Sequence, residues 1–142
     1  MPKFIADFFP NVANYWDIFL IALTATYQMF FIAGLITLLI GGAFGISLIV
    51  TKTDGIKPNR IIHFILEVIT NVFRAVPFII LLIFLIPLTR SIAGTSIGVK
   101  GAVVPLVFGA VPFYTRQVET ALADVNPGKI EAARSMGSST LG

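Results

Sequence analysis

The sequence predicts an all-α protein, a polytopic transmembrane helical bundle, and three observations carry that reading. The chain is 56% hydrophobic and only 12% charged, with a mean hydropathy of +0.93, whereas soluble domains are about 25% charged. No charged side chain occurs from Ile18 to Thr51, and about 20 apolar residues suffice for a helix to cross a bilayer. Two further apolar runs follow, over residues 60–89 and 99–116, each bounded by polar stretches. At 142 residues the chain is a single domain. Its net charge of +3 is too small and too scattered to suggest nucleic acid, and fits loops that touch anionic lipid headgroups. With no cysteine, disulfides, thiolate metal sites and a cysteine nucleophile are excluded; a single histidine excludes a histidine metal cluster. No cofactor is expected.

Residues 1–17 read as an interfacial lead-in. A secretory signal would have a more basic start and a short apolar run ending at a cleavage site. Here Tyr15 and Trp16 are expected at headgroup depth. The first crossing, 18–51, carries small residues at every fourth position: Ala33, Thr37, Gly41 and Gly45. In lipid such a stripe lets a second helix approach closely, so it is expected to be a packing seam rather than a helix that merely tolerates glycine. Lys52 to Arg60 is a loop, with a turn at Thr53-Asp54-Gly55 and Pro58 opening the next helix.

The second crossing, 60–89, has a polar stripe. Arg60, His63, Glu67, Asn71 and Arg74 follow steps of three and four, so one helical face carries them all. Residues 75–88 are uncharged, but they rise only about 21 Å against a hydrocarbon core of about 30 Å. The helix must therefore enter the membrane before Arg74, where an arginine faces protein or water. Glu67, Asn71 and Arg74 are candidates for the bundle interior, and Arg60 and His63 for a solvated face.

Arg90 to Lys100 is a polar hairpin, and the third crossing spans 99–116. Pro105 and Pro112 lie seven apart, so their kinks fall on one side, and each frees the carbonyl four residues earlier, those of Gly101 and Phe108. A curved packing helix and a pore-lining one are both open. Arg116, Gln117 and Glu119 carry the helix into water. After a turn at Asp124–Gly128, Asn126 caps a short helix, Pro127 takes its first position and Gly137 stops it. Glu131 is expected in its first turn. Ala132 and Ala133 give it a knobless surface, suited to seating in a partner's groove; a plain connector helix is the alternative.

The stretch Glu131-Ala132-Ala133-x-x-x-Gly137 after three apolar segments resembles the cytoplasmic loop of ABC importer permeases. The likeness extends through Phe73-Arg74-Ala75-Val76-Pro77-Phe78-Ile79-Ile80-Leu81-Leu82, Gly94-Thr95-Ser96-Ile97-Gly98, and Pro112 to Leu122. Together these look like the methionine-uptake branch, over most of residues 16–142. The resemblance implies a type I importer permease fold and an inward path for an amino acid, methionine in its D or L form. Residues 126–142 would then be the coupling loop, with Glu131, Ala132, Ala133, Arg134 and Gly137 meeting a cytosolic ATPase homodimer. A second permease copy and an extracytoplasmic substrate-binding lipoprotein are implied as further partners. Such permeases continue with at least two further membrane helices, so the sequence is expected to be truncated at its C-terminus.

Three crossings place 1–17 and 90–100 on one side, and 52–60 and 116–142 on the other. The first side holds Lys3, Arg90 and Lys100; the second holds Lys52, Lys57, Arg60, Arg116, Lys129 and Arg134. This bias puts the second side in the cytoplasm and the N-terminus outside the inner membrane. No phosphate-cradling loop, nucleophile elbow or acid–base pair is present. A non-catalytic permease is the first reading; the alternatives are a non-transporting membrane adaptor or scaffold whose polar loop binds another protein, and a permease for a different amino acid.

Overall fold

The computed structural model describes residues 9–137, without the side chains of Ala13, Pro127, Ile130 and Arg134. The expectations for residues 1–8 and 138–142, and for the Arg134 side chain, lie outside the described residues. Within them the chain forms seven helices: α1 Pro10–Asn14, α2 Trp16–Thr51, α3 Arg60–Ala75, α4 Phe78–Phe84, α5 Ile86–Ala93, α6 Gly98–Ala123 and α7 Pro127–Ser135. No strand occurs among the described residues.

Helix α2 runs for 36 residues and is apolar on every side, as a membrane helix must be. At 1.5 Å per residue it is about 54 Å long, more than the hydrocarbon core requires. Its outward face exposes Phe30, Phe31, Leu35, Leu38 and Leu39, while Ala33, Thr37, Gly41, Gly45, Leu48 and Thr51 are buried. The buried set packs on α6, the most extensive helix pairing in the structure. Small side chains set the spacing there. A Cβ on Gly45 would fall 2.6 Å from Val118 Cβ and 2.8 Å from the Thr115 carbonyl oxygen, and one on Gly41 would fall 2.9 Å from Tyr114 Cδ1. Close approach of this kind, without side chains in between, is how helices gain dispersion contact in lipid.

Helix α6 passes through Pro105 and Pro112 without interruption, and both are buried. Their freed carbonyls therefore lie within a helix whose proline-bearing side faces the bundle rather than lipid, where such defects are tolerated. The loop before α3 folds back on α2: Lys57 and Asn59 donate backbone N–H bonds to the Val50 and Thr51 carbonyls at 3.0 and 2.9 Å. Asn59, rather than the neighbouring Pro58, makes the helix start. Its side-chain oxygen accepts the N–H groups of Ile61 and Ile62, both at 3.1 Å.

The second apolar segment departs from the expected single helix over 60–89. It breaks after Ala75, and α3 and α4 meet at a bend of 103°. Proline is the cause. Pro77 has no N–H to continue the ladder, and Val76 before it takes the extended conformation (φ −80°, ψ 124°) that a following proline favours. A second break at Leu85 is followed by Pro87 in the first turn of α5, where a missing N–H costs nothing. Two helices, α2 and α6, are each long and apolar enough to cross a membrane, and the bent α3–α4 pair makes a third crossing if it acts as one span. The hairpin into α6 turns on Gly94, with the Thr95 hydroxyl accepting the Ile97 N–H at 3.1 Å and Arg90 Nε donating to Ser96 Oγ at 3.2 Å.

Candidate functional site

Two places carry the chain's polar chemistry. The first lies where α3 crosses the polar end of α6. The three-and-four spacing of α3 puts His63, Glu67 and Asn71 on one face, where Glu67 and Asn71 meet a turn of α6 that presents Arg116. Its Nη2 donates to Asn71 Oδ1 at 2.9 Å and stands 3.6 Å from Glu67 Oε1, while Nη1 binds Glu119 Oε2 one turn along the same helix. His63 closes the far edge, its Nδ1 donating to the Leu48 carbonyl at 3.1 Å and its Nε2 lying 3.9 Å from Glu67 Oε2. One guanidinium thus engages groups from two helices, and the imidazole adds the end of α2. Arg116 is only 21% exposed and Glu119 18%, whereas Glu67 is 44% exposed, so the Arg116–Glu119 half of the cluster is the better shielded.

Of the three residues expected in the bundle interior, Glu67 and Asn71 converge on Arg116. Arg74 does not join them. It is exposed in this chain, and its guanidinium carbon sits 5.4 Å from the centroid of the Phe113 ring on α6, a cation–π distance. Arg116 is the residue that the sequence reading left in water. Its partner Asn71 lies 45 positions away in the chain, so no local pattern announces the contact. His63, expected on a solvated face, is half-buried with a backbone partner; Arg60 is exposed.

The second place is α7. Asn126 Oδ1 accepts the Gly128 N–H at 2.8 Å, and Gly137 closes the segment with φ +83°, a left-handed conformation that a residue with a Cβ adopts only at a cost. Because the helix begins at Pro127, Glu131 is its fifth residue. The first turn holds no acid, which corrects the expectation that Glu131 would lie there. Glu131 and Ala132 are exposed and Ala133 is half-buried, and α7 packs against none of the other described helices. Among the described residues no three acidic or imidazole side chains converge to hold a metal ion.

Residues 43–142 match the family described as the binding-protein-dependent transport system inner membrane component. The match covers more than two thirds of the chain and includes both polar places. The chain belongs to this family. As a member it is a multi-pass component of the inner membrane, with an all-helical importer permease fold. Among curated relatives, it is 46% identical over 116 residues to the D-methionine transport system permease protein MetI of Salmonella typhimurium, and 45% identical over 116 residues to that of Escherichia coli K12. Each alignment covers 82% of this chain and 54% of the relative, so the chain spans about half the length of the curated relatives it matches. A solved structure of the MetNI methionine ABC transporter, in an inward-facing conformation, superposes with a TM-score of 0.79 at 44% identity, over 84% of this chain and 55% of the other. The helical fold as a whole is therefore that of an importer permease.

Proposed function

We propose that this chain is part of the pore subunit of an ABC importer that moves methionine, in its D or L form, inward across the inner membrane. The observation that carries the reading is 45–46% identity to D-methionine permeases over 82% of the chain. The subunit itself is not an enzyme; ATP is hydrolysed by a cytosolic ATPase homodimer. Two permease copies line the path, and a lipoprotein outside delivers the substrate. Helix α7 is the coupling helix. It stands clear of the described bundle and presents Glu131 and Ala132 outward with Ala133 half-buried beside them, which leaves it free to seat in an ATPase groove, with Arg134 and Gly137 completing the contact. The ATPase moves the bundle only if its own open and closed states contact that helix differently. Segment roles follow: 1–17 an interfacial lead-in, 18–51, 60–89 and 99–116 the crossings, 126–142 the coupling loop.

In this orientation the N-terminus lies outside and residues 116–142 lie in the cytoplasm. The support is six basic residues on the coupling side against three on the other. Cysteines at Asp54 and Ser138 in the full-length permease will resist an impermeant thiol reagent in sealed cells, and one at Thr95 will be labelled. Asp54 is chosen because its neighbour Gly55 lies against the Ile49 and Val50 carbonyls, with no room for a side chain. Uptake of radiolabelled methionine, by cells whose only methionine permease is this one, tests the activity. Accumulation no higher than in the permease-free strain overturns it.

A further inference from the structure

The bend between α3 and α4 opens a groove of about 500 Å³ against α6, a size that accommodates a small molecule. Its walls are apolar, with Phe73, Phe78, Leu106 and Phe113 among them, and Arg74 is the one charged residue in its lining. We infer that this groove is a binding site for an amphipathic carboxylate, an amino acid with an apolar side chain, and that Arg74 receives the carboxylate. The inference rests on the importer reading and names where along the path the substrate is held.

Three features lead there. Arg74 is the last charged residue before the uncharged stretch 75–88, and a guanidinium beside a membrane-crossing segment is matched by protein, water or an anion. The nearby acids on the two helices are already engaged: Glu67 and Glu119 both lie against Arg116, and Arg74 has no ion pair among the described residues. What holds Arg74 is the Phe113 ring, which orients the cation without neutralising it. The groove also exists because of irregular backbone. Val76 and Pro77 break the helix, and at membrane depth such a break is tolerated where it is covered by protein or lines a cavity. A planar guanidinium matches a carboxylate with two parallel bonds, while the aromatic and aliphatic walls take an apolar side chain. The same cation would also attract the phosphate of an anionic lipid, so the test separates the two.

The test uses the full-length permease with its ATPase in phosphatidylcholine nanodiscs, carrying Ala110→Cys. Ala110 is exposed and lines the groove. Methionine and N-acetylmethionine will slow maleimide labelling of this cysteine. N-acetylmethioninamide, which differs from the latter only in lacking the carboxylate, will need a concentration roughly tenfold to a hundredfold higher. Arg74→Gln will erase the difference between acid and amide, and Arg74→Lys will keep part of it. If Arg74→Gln does not assemble, the acid–amide comparison in the Arg74 background still decides. Equal protection by acid and amide overturns the inference. So does an Ala110→Cys that no nucleotide state exposes to reagent, or protection by phosphatidylglycerol with none by methionine. Loss of acid-specific protection in a complex that still accumulates methionine removes the groove alone. Acid-specific protection in a complex that accumulates none removes the importer reading alone.

Discussion

The α2–α6 seam and helix α7 are made from the same kind of residue and put it to opposite uses. In the seam, Ala33, Thr37, Gly41 and Gly45 are buried because another part of the same chain lies against them. In α7, Ala132 and Ala133 are small with no other described helix packed on them. Small residues in a helix are therefore informative about contact but silent about who supplies it. The seam's contacts are intramolecular and bear on whether the bundle forms. Those of α7 are proposed to be intermolecular, and should bear on what the bundle does. Substitutions ordered by their effect on the bundle test this division.

The largest effect belongs to the seam. Gly45→Leu would drive a side chain into Val118 and the Thr115 carbonyl, and a backbone carbonyl has little freedom to move away. Overpacking of this kind costs about 1–3 kcal/mol, and the full-length protein should fall sharply in membrane abundance and in thermal-aggregation temperature. Gly34→Leu is the control on the same helix, since nothing lies within 4 Å of a Cβ there. Equal loss in both would mean that glycine's backbone, not the seam, is at stake.

Next comes the Arg116 cluster, which ties α3 to α6. Arg116→Gln removes the partner of Glu67 and of Glu119 at once. Because Glu67 is 44% exposed, water screens that half of the interaction. A double-mutant cycle between Glu67→Gln and Arg116→Gln should give a coupling of only about 0.5–1 kcal/mol in thermal denaturation of the purified complex. Additivity of the two substitutions would show that the pair contributes nothing beyond its separate members.

These two regions also show what was and was not legible in the sequence. An uncharged run from Ile18 to Thr51 reads as a membrane helix because hydropathy is a property of each residue alone, and the structure holds it as α2. The stripe of small residues is likewise visible as a period of four. The break at Val76-Pro77 was concealed by the same reasoning: the segment is apolar on both sides, and hydropathy does not register a missing N–H. The contacts of Arg116 were hidden for a different reason. A charged residue after an apolar run reads as the exit into water, and only tertiary packing of α3 on α6 brings Asn71 and Glu67 to it. The start of α7 at Pro127 was legible from the proline itself, and counting from it makes Glu131 the fifth residue, past the first turn.

The third prediction moves to α7, where the division between the regions would break if it is wrong. Ala133→Trp adds bulk to a helix that packs on no other described helix, and Gly137→Val forces a β-branched residue into φ near +83°. The strain at Gly137, about 1–2 kcal/mol, falls on the end of a short helix and not on the bundle. Both variants of the full-length permease should therefore keep near-normal membrane abundance, while co-purification of the ATPase or methionine-coupled hydrolysis is lost. Normal uptake by Ala133→Trp would make α7 a plain connector.

The smallest effect is expected from Glu131→Ala, and its value lies in how little else it changes. Glu131 is the fifth residue of α7, beyond the first turn in which a carboxylate gains from the helix dipole. Its side chain makes no ion pair among the described residues; only its backbone carbonyl is engaged, accepting the Ser135 hydroxyl at 2.9 Å, and alanine retains that carbonyl. Alanine is also the better helix former, by a few tenths of a kcal/mol. No contact among the described residues is thus expected to weaken, and membrane abundance should equal that of the unaltered protein. A charge at the rim of a docking surface, in contrast, contributes about 0.2–1 kcal/mol. The variant should retain the ATPase but release it at lower salt than the parent complex in a co-purification series. An unchanged salt profile would confine the docking contact to the alanine face and remove Glu131 from it.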